Sequence, residues 1–549
     1  MTAQQQHSDA EDNLRASLPT FHRKLSPNEL SYFLPGRVNG TNEMFLFSTV
    51  HIPPALVTPL RVQIAWAIVR LRHVLMASRV QMSVGRYDDA QFVYTPPASP
   101  REALLQASSS VGRYNNVSET KITDEFLNGP PRLSFDALSR LDVFQQKQIS
   151  EDLTAFTFFF MVHHMINDAR GVYKTLDVVL ELVAGVVGPG SSRPRTDEEL
   201  LDELNAEWVK RWEHSMLGLD VFPKSTEDRV LPRPRTKLQR AADRVDYDNL
   251  QRRFIGGHSF KRAKNPTRTR LVQIVFDADQ TQKIIKKCKS QGVTTGNIMF
   301  GLINVAWLRF AARHPRFVDA HPQLPMLLYT AISLREYLQP VSGPDSHVSL
   351  ALGYHNVVLP TVVPTERSLK AVFWTRSREA QRQMRSYVRS PLLLSRSLVI
   401  SEERGRRAKA WARIDDTAAG LIPAAPPINN QTTPPSQTNS TPSIALMGVS
   451  QAGKISDVYR THLYPSAKLV DAFGGPRRGP GAGVLLVTDT FFGRFGITCF
   501  WDGGAFERGV FEEFLAEVIT GMQEFVVEDK GRPVQVIDRC GGSSLRAKL

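Results

Sequence analysis

Short apolar runs and longer stretches at helical spacing alternate along this chain. Met44–Val50 (MFLFSTV) predicts a strand, and beyond two prolines the apolar spacing over Pro59–Met76 predicts a helix. Leu153–Val162 (LTAFTFFFMV) is a continuous apolar and aromatic run, which predicts a strand buried on both faces. A polar loop, His163–Arg170, breaks it, and Gly171–Val187 resumes at helical spacing before Gly188–Pro189, a pair expected to stop the helix. From Pro189 to about Arg270 the chain turns Pro-, Arg- and Asp-rich around one amphipathic helix, Asp197–His214, and reads as a crossover between domains. The vocabulary then repeats, predicting strand Arg270–Phe276, helices Asp279–Gln291 and Gly296–Arg313, strand Met326–Ile332 and helix Glu366–Tyr387. Between Asp416 and Lys454 there is no charged side chain, and Gly420–Ser443 is dense in Pro, Asn, Gln, Thr and Ser, a composition that supports no packed core. Strands Ile444–Val449, Gly483–Phe491 and Gly496–Trp501 and a last helix, Glu507–Val527, follow.

Strands in both halves with helices between them predict an α+β, mixed-sheet fold. At 549 residues the chain exceeds the roughly 250–300 residues at which one core stops growing, so two or more domains are expected. The expected division is an N-terminal domain at 1–188, a crossover linker at 189–270 and a C-terminal domain at 271–549, with a disordered insertion near 415–443. No apolar run approaches the ~18 residues of a membrane span, so no integral membrane segment is expected. Cys288, Cys499 and Cys540 are too few and too scattered for a disulfide framework or a zinc site, and no metal is expected. The net charge of +14 suits a nucleic acid, a membrane surface or a small polyanion alike. Much of it lies in runs such as Gln251–Arg270 (QRRFIGGHSFKRAKNPTRTR) without aromatic interleaving or a nucleic-acid motif. A solvated basic surface is the expectation there, and no nucleic-acid partner.

The sharpest local feature is His163-His164-Met165-Ile166-Asn167-Asp168-Ala169-Arg170-Gly171, set between the buried strand and a helix. A loop at the end of a rigid strand positions side chains well. Within His164-x-x-x-Asp168 a tight turn would return the carboxylate toward the imidazole. There it would fix the ring or the loop around it, leaving one ring nitrogen as a general base near neutral pH. An ordinary pair of histidines at a strand end has the same pattern, and the spacing alone leaves both readings open.

HHMINDARG resembles the HHxxxD signature of the acyl-CoA-dependent acyltransferases and peptide condensation domains that share the chloramphenicol-acetyltransferase fold. The resemblance runs from about Met44 to Val527, in the order of fungal trichothecene 15-O-acetyltransferase-like proteins. It includes Leu127–Ser134 (LNGPPRLS), Thr294–Arg309 (TTGNIMFGLINVAWLR), Ser333–Leu338 (SLREYL) at the strand-end arginine motif, Leu350–Pro360 (LALGYHNVVLP), and Ser450–Asp457 (SQAGKISD), which is similar to an SxGxxD turn. The resemblance implies two chloramphenicol-acetyltransferase-like domains, each a mixed β-sheet flanked by helices, with the active-site channel between them, in a monomer. It further implies that His164 takes the proton of an acceptor hydroxyl attacking an acyl thioester. Asp168 points away from the channel and pairs with Arg335, while His163 and Gly171 support the site. Acyl-CoA is then a co-substrate, a small hydroxylated molecule is the acceptor, and no cofactor is bound permanently.

Two departures matter. The plant-type DFGWG motif is absent, with Asp471–Gly475 (DAFGG) only a loose echo or a plain turn. Ala169 stands where condensation domains have a glycine, which favours free-standing O-acyltransferases. Ile255–Ser259 (IGGHS) resembles the GGxS site of carrier proteins, but its basic, Pro-broken flanks do not suit a carrier domain.

Ala547-Lys548-Leu549, preceded by Arg546, resembles the SKL-type tripeptide read by the peroxisomal import receptor. That receptor is an expected partner and the peroxisome the expected location, with the cytoplasm the alternative. Peroxisomes supply short- and medium-chain acyl-CoA, and the combination resembles the mannosylerythritol-lipid acyltransferases of smut fungi. It implies acyl transfer to a sugar hydroxyl of a glycolipid. The alternative is acetyl transfer to a terpenoid or polyketide alcohol of secondary metabolism, and a non-catalytic binding relative is opposed by the intact His164 and Asp168.

Overall fold

The computed structural model describes residues 19–188, 191–213, 221–230, 235–338, 347–423, 443–529 and 532–541. Its smaller main sheet has five strands in the order Lys468–Pro476, Glu43–Ile52, Thr154–His163, Ser139–Gln148 and Val111–Asn115. The middle strand, Thr154–His163, is buried at all ten positions, as an apolar run without polar alternation requires. Its residues divide between two cores. Phe156, Phe158 and Phe160 join the cluster that holds helices Pro59–Arg72 and Ala169–Ala184, where Trp66 meets Phe160 at 5.7 Å. Phe159 and Met161 join an aromatic seam with Phe45, Phe47, Phe126, Phe473 and Phe500. Phe500 belongs to the larger sheet, so this seam holds the two sheets together.

The larger sheet has nine strands. Val318–Ala320, Gly256–Phe260, Ser443–Lys454, Leu485–Phe491, Arg494–Asp502, Thr269–Phe276 and Gln535–Asp538 run side by side, and Met326–Ser333 pairs with both Ser443–Lys454 and Leu352–Leu359. Helices Ile298–Arg313, Leu369–Val388 and Val510–Met522 cover it around Trp307, Phe373 and Phe514. The fold is α+β, with two mixed sheets, each flanked by helices.

The structure departs from the sequence reading in several places. The helix expected to reach Gly188–Pro189 ends at Ala184, because Gly185 takes an extended ψ of 154° while its N–H still bonds Glu181. The helix expected over Pro59–Met76 is broken at His73, whose φ and ψ of −128° and 82° are not helical. Residues 189–270 are more than a linker. Asp197–Trp208 is tied to the N-terminal half through Arg61, which donates to Asp197 at 2.7 Å and to the Arg195 carbonyl at 2.6 Å. Helix Lys237–Gln251 follows, and the carrier-like IGGHS lies in strand Gly256–Phe260 of the larger sheet. The domain expected at 271–549 lends a strand to the other: Lys468–Pro476, which contains the loose DAFGG echo, is no plain turn and pairs antiparallel with Glu43–Ile52.

At the insertion expected near 415–443, helix Leu393–Ala418 continues to Ala418, and Asp416 is held by Arg37 at 2.5 Å and by the Tyr87 hydroxyl at 2.6 Å. Residues 424–442 lie outside the described residues. This helix packs on Pro27–Gly36 so closely that a Cβ on Gly405 would lie 2.9 Å from Pro27 Cβ.

Candidate active site

The turn 164–168 joins the central strand of the smaller sheet to helix Ala169–Ala184. His163 ends that strand opposite Glu43, and its amide bonds the Leu138 carbonyl at 3.0 Å. Its ring is buried, which pushes its pKa down to about 4, and it does not line the cavity. His164 is the first residue beyond the sheet, with its amide 3.3 Å from the Asn42 carbonyl.

The turn itself sets the imidazole. His164 Nδ1 lies 2.9 Å from the Asn167 carbonyl oxygen. A carbonyl only accepts, so Nδ1 carries the proton and the lone pair of the neutral ring is on Nε2. Burial holds the His164 pKa below its ordinary value, so the ring is neutral at neutral pH. The Tyr32 ring lies over it with centroids 4.1 Å apart.

Asp168 fixes the turn and makes no hydrogen bond to the imidazole. Its Oδ1 caps helix Ala169–Ala184 by accepting from Gly171 N–H at 3.1 Å. Its Oδ2 accepts from Arg335 Nη2 at 2.9 Å and from Ala351 N–H at 3.3 Å. Arg335, just beyond strand Met326–Ser333, also donates to the Ser349 carbonyl at 2.8 Å. The turn at the end of one sheet is thereby anchored to the end of the other. Gly171 is required by space: a Cβ there would lie 1.9 Å from Asn167 Oδ1 and 2.8 Å from the His347 carbonyl.

His164 lines a cavity of about 270 Å³ where the two sheets meet. Met44, Phe45, Leu46, Gly474 and Gly475 come from the smaller sheet, and Tyr329, Tyr354, Ser450, Leu485 and Val487 from the larger. The glycines let the borrowed strand lie close: a Cβ on Gly474 would be 2.3 Å from the Phe45 carbonyl, and one on Gly475 2.1 Å from Phe500 Cζ. Ser450 sits beside a register shift in strand Ser443–Lys454, where Gly453 adopts a φ of +75°.

Tyr32, Asn42, Tyr329, Tyr354, Arg404 and Arg478 also line this cavity and were not singled out in the sequence. Tyr354 lies within the LALGYHNVVLP stretch, and no local signal marks the others, which come from segments remote in the chain. The basic run Lys261–Arg270 is partly spent on structure, with Arg268 on Asp124 at 2.9 Å and Arg270 on Asp538 at 3.4 Å. Ala547, Lys548 and Leu549 lie outside the described residues. Among the described residues no helix is long and apolar enough to cross a membrane, and no group of three or more His, Cys, Asp and Glu side chains is placed to hold a metal ion.

No family model matches the chain, and no curated protein matches it in sequence. Solved structures do. The trichothecene 15-O-acetyltransferase of Fusarium sporotrichioides superposes with a TM-score of 0.64 at 13% identity, covering 92% of this chain and 95% of that one. The condensation domain of the monacolin K polyketide synthase gives 0.52 at 13% identity over 92% and 97% of the two chains. The epimerization domain from the third module of tyrocidine synthetase B gives 0.52 at 10% identity over 92% and 98%. The likeness spans both sheets and their flanking helices, and this chain has the two-domain, chloramphenicol-acetyltransferase-like fold of these proteins.

Proposed function

We propose that this protein is an acyl-CoA-dependent O-acyltransferase with His164 as its general base. The observation that carries the reading is the His164 ring itself: neutral, locked through Nδ1–H to the Asn167 carbonyl, and set in the wall of a cavity between the two sheets. Nε2 takes the proton of the acceptor hydroxyl as its oxygen attacks the thioester carbonyl. The tetrahedral oxyanion collapses to the ester, the C–S bond breaks, and the proton on Nε2 passes to the departing CoA thiolate. No acyl-enzyme forms. Asp168, Arg335 and Gly171 hold the turn that aims the ring.

The acceptor class best supported is a hydroxylated secondary metabolite, given the likeness to a trichothecene O-acetyltransferase. A second reading, supported by Ala547-Lys548-Leu549, is a sugar hydroxyl of a glycolipid, acylated in the peroxisome with short- or medium-chain acyl-CoA. The test is free-thiol release by wild type and His164→Ala with acetyl- through long-chain acyl-CoA, offered mannosylerythritol or a terpenoid alcohol. Acceptor-dependent release that falls about 10²–10⁴-fold in the variant is expected. The acceptor that drives release decides between the two classes, and release unchanged in His164→Ala would overturn the mechanism.

A further inference from the structure

Several arginines withdrawn from water in this fold have acidic partners: Arg37 has Asp416, Arg61 has Asp197, and Arg335 has Asp168, whereas Arg70 is met by the Met76 carbonyl. The two that line the His164 cavity, Arg404 and Arg478, form no ion pair among the described residues. A cation removed from water without a counter-charge is costly, and interior charges are ordinarily paired.

Arg404 reaches the cavity from helix Leu393–Ala418. Its guanidinium lies 4.0 Å from the Tyr354 ring centroid and 5.2 Å from that of Tyr32. Nη1 donates to the Tyr329 hydroxyl at 3.2 Å and Nε to the Ser31 hydroxyl at 3.3 Å, while Nη2 has no hydrogen bond among the described residues. Because Tyr329 accepts from Arg404, its own O–H remains free to donate. Tyr354 donates to Asn28 Oδ1 at 3.0 Å and is 2.9 Å from the Tyr32 hydroxyl, which holds Tyr32 between Arg404 and the His164 ring. Arg478 follows the borrowed strand. Its Nη2 donates to the Gly483 carbonyl at 2.8 Å, and its Nε is buried without a partner. Two cations without an ion pair thus line one apolar-walled cavity, and one of them, Arg404, is a single aromatic ring away from the candidate base.

We propose that Arg404 and Arg478 form an anion subsite in this cavity, which takes a carboxylate or phosphate group carried in by one of the two substrates. This rests on the acyl-transfer reading of the same cavity and adds the charge of what it binds. Aromatic faces and neutral hydroxyls hold the guanidinium of Arg404 in place without neutralising it, and a bound anion supplies the missing counter-charge.

The test is calorimetric binding, which needs no turnover, with two matched pairs of probes: CoA against pantetheine, and mandelate against neutral mandelamide. Wild type, Arg404→Met, Arg478→Met and Arg404→Lys are compared after their folding is checked by near-UV circular dichroism. The expected result is that wild type prefers the charged member of one pair at least tenfold. Either methionine variant loses that preference, and Arg404→Lys retains part of it. Preference confined to the CoA pair assigns the anion to the donor's phosphates, and preference confined to the mandelate pair assigns it to a hydroxy-acid acceptor. If wild type shows no preference in either pair, or if preference survives in a folded methionine variant, the proposal is overturned; Arg478→Met carries the test alone if Arg404→Met does not fold. Failure of the acyl-transfer reading would appear separately, as unchanged thiol release in His164→Ala.

Discussion

Asp168→Asn is the most informative single change, because the carboxylate receives three donors and an amide has only one oxygen to offer. Oδ1 accepts Gly171 N–H, while Oδ2 accepts both Arg335 Nη2 and Ala351 N–H. Whichever way the asparagine turns, its NH₂ meets at least one donor, and Arg335 keeps its charge with no carboxylate opposite. A lost charge-assisted hydrogen bond costs about 1.5–3 kcal/mol, and breaking a buried pair about 3–5 kcal/mol. The Asp168 side chain is 3% exposed and that of Arg335 18%, so a loss near the lower end, about 3 kcal/mol, is expected. The consequence for activity follows from Asn167, the neighbour whose carbonyl holds His164 Nδ1. A turn displaced by about 1 Å lowers kcat/KM by about 10²-fold. Urea unfolding and initial rates on Asp168→Asn, Arg335→Met and the double variant make the assay. The double-mutant cycle should show a favourable coupling of about 2 kcal/mol. The Asp168 charge raises the His164 pKa against the lowering by burial, so its removal in Asp168→Asn should move the acidic limb of the pH profile to lower pH. Stability within about 0.5 kcal/mol of wild type together with unchanged kcat/KM would refute the reasoning.

Burial lowers the His164 pKa, so kcat/KM should be flat through neutral pH and fall on acidification with a midpoint below the ordinary histidine value; an initial-rate profile with its midpoint at or above about 6.5 would contradict this. Gly171→Ala drives a methyl group into Asn167 Oδ1 and the His347 carbonyl, and should cost about 1–3 kcal/mol of stability as well as reducing kcat. Thermal unfolding beside single-turnover rates checks both, and an alanine variant as stable and as active as wild type would show that the turn has room to spare.

What the sequence determined by itself was local. The unbroken apolar run before His163 dictates a strand covered on both faces, because polar alternation is what a solvated face would need. Asp168 three residues before Gly171 sets a helix start, since a carboxylate at that spacing satisfies an otherwise orphaned amide. The imidazole is likewise set by a carbonyl only three residues away. The placement of Arg335 against Asp168, 167 residues distant, was legible only through resemblance. Tertiary structure decided the rest. Lys468–Pro476 reads as a turn with its Gly-Gly-Pro ending, and it becomes a strand because Glu43–Ile52 offers an unpaired edge at which a terminal proline costs no ladder bond. Helix Leu393–Ala418 buries serines, glycine and alanines along much of its inner face, so its period is faint in hydrophobicity even though it carries Arg404. Tyr32, Tyr329, Tyr354, Arg404 and Arg478 share a cavity wall although the chain scatters them over more than four hundred residues. Periodicity along a chain reports which face of an element is covered, whereas the identity of the covering element depends on packing between segments that no local pattern connects.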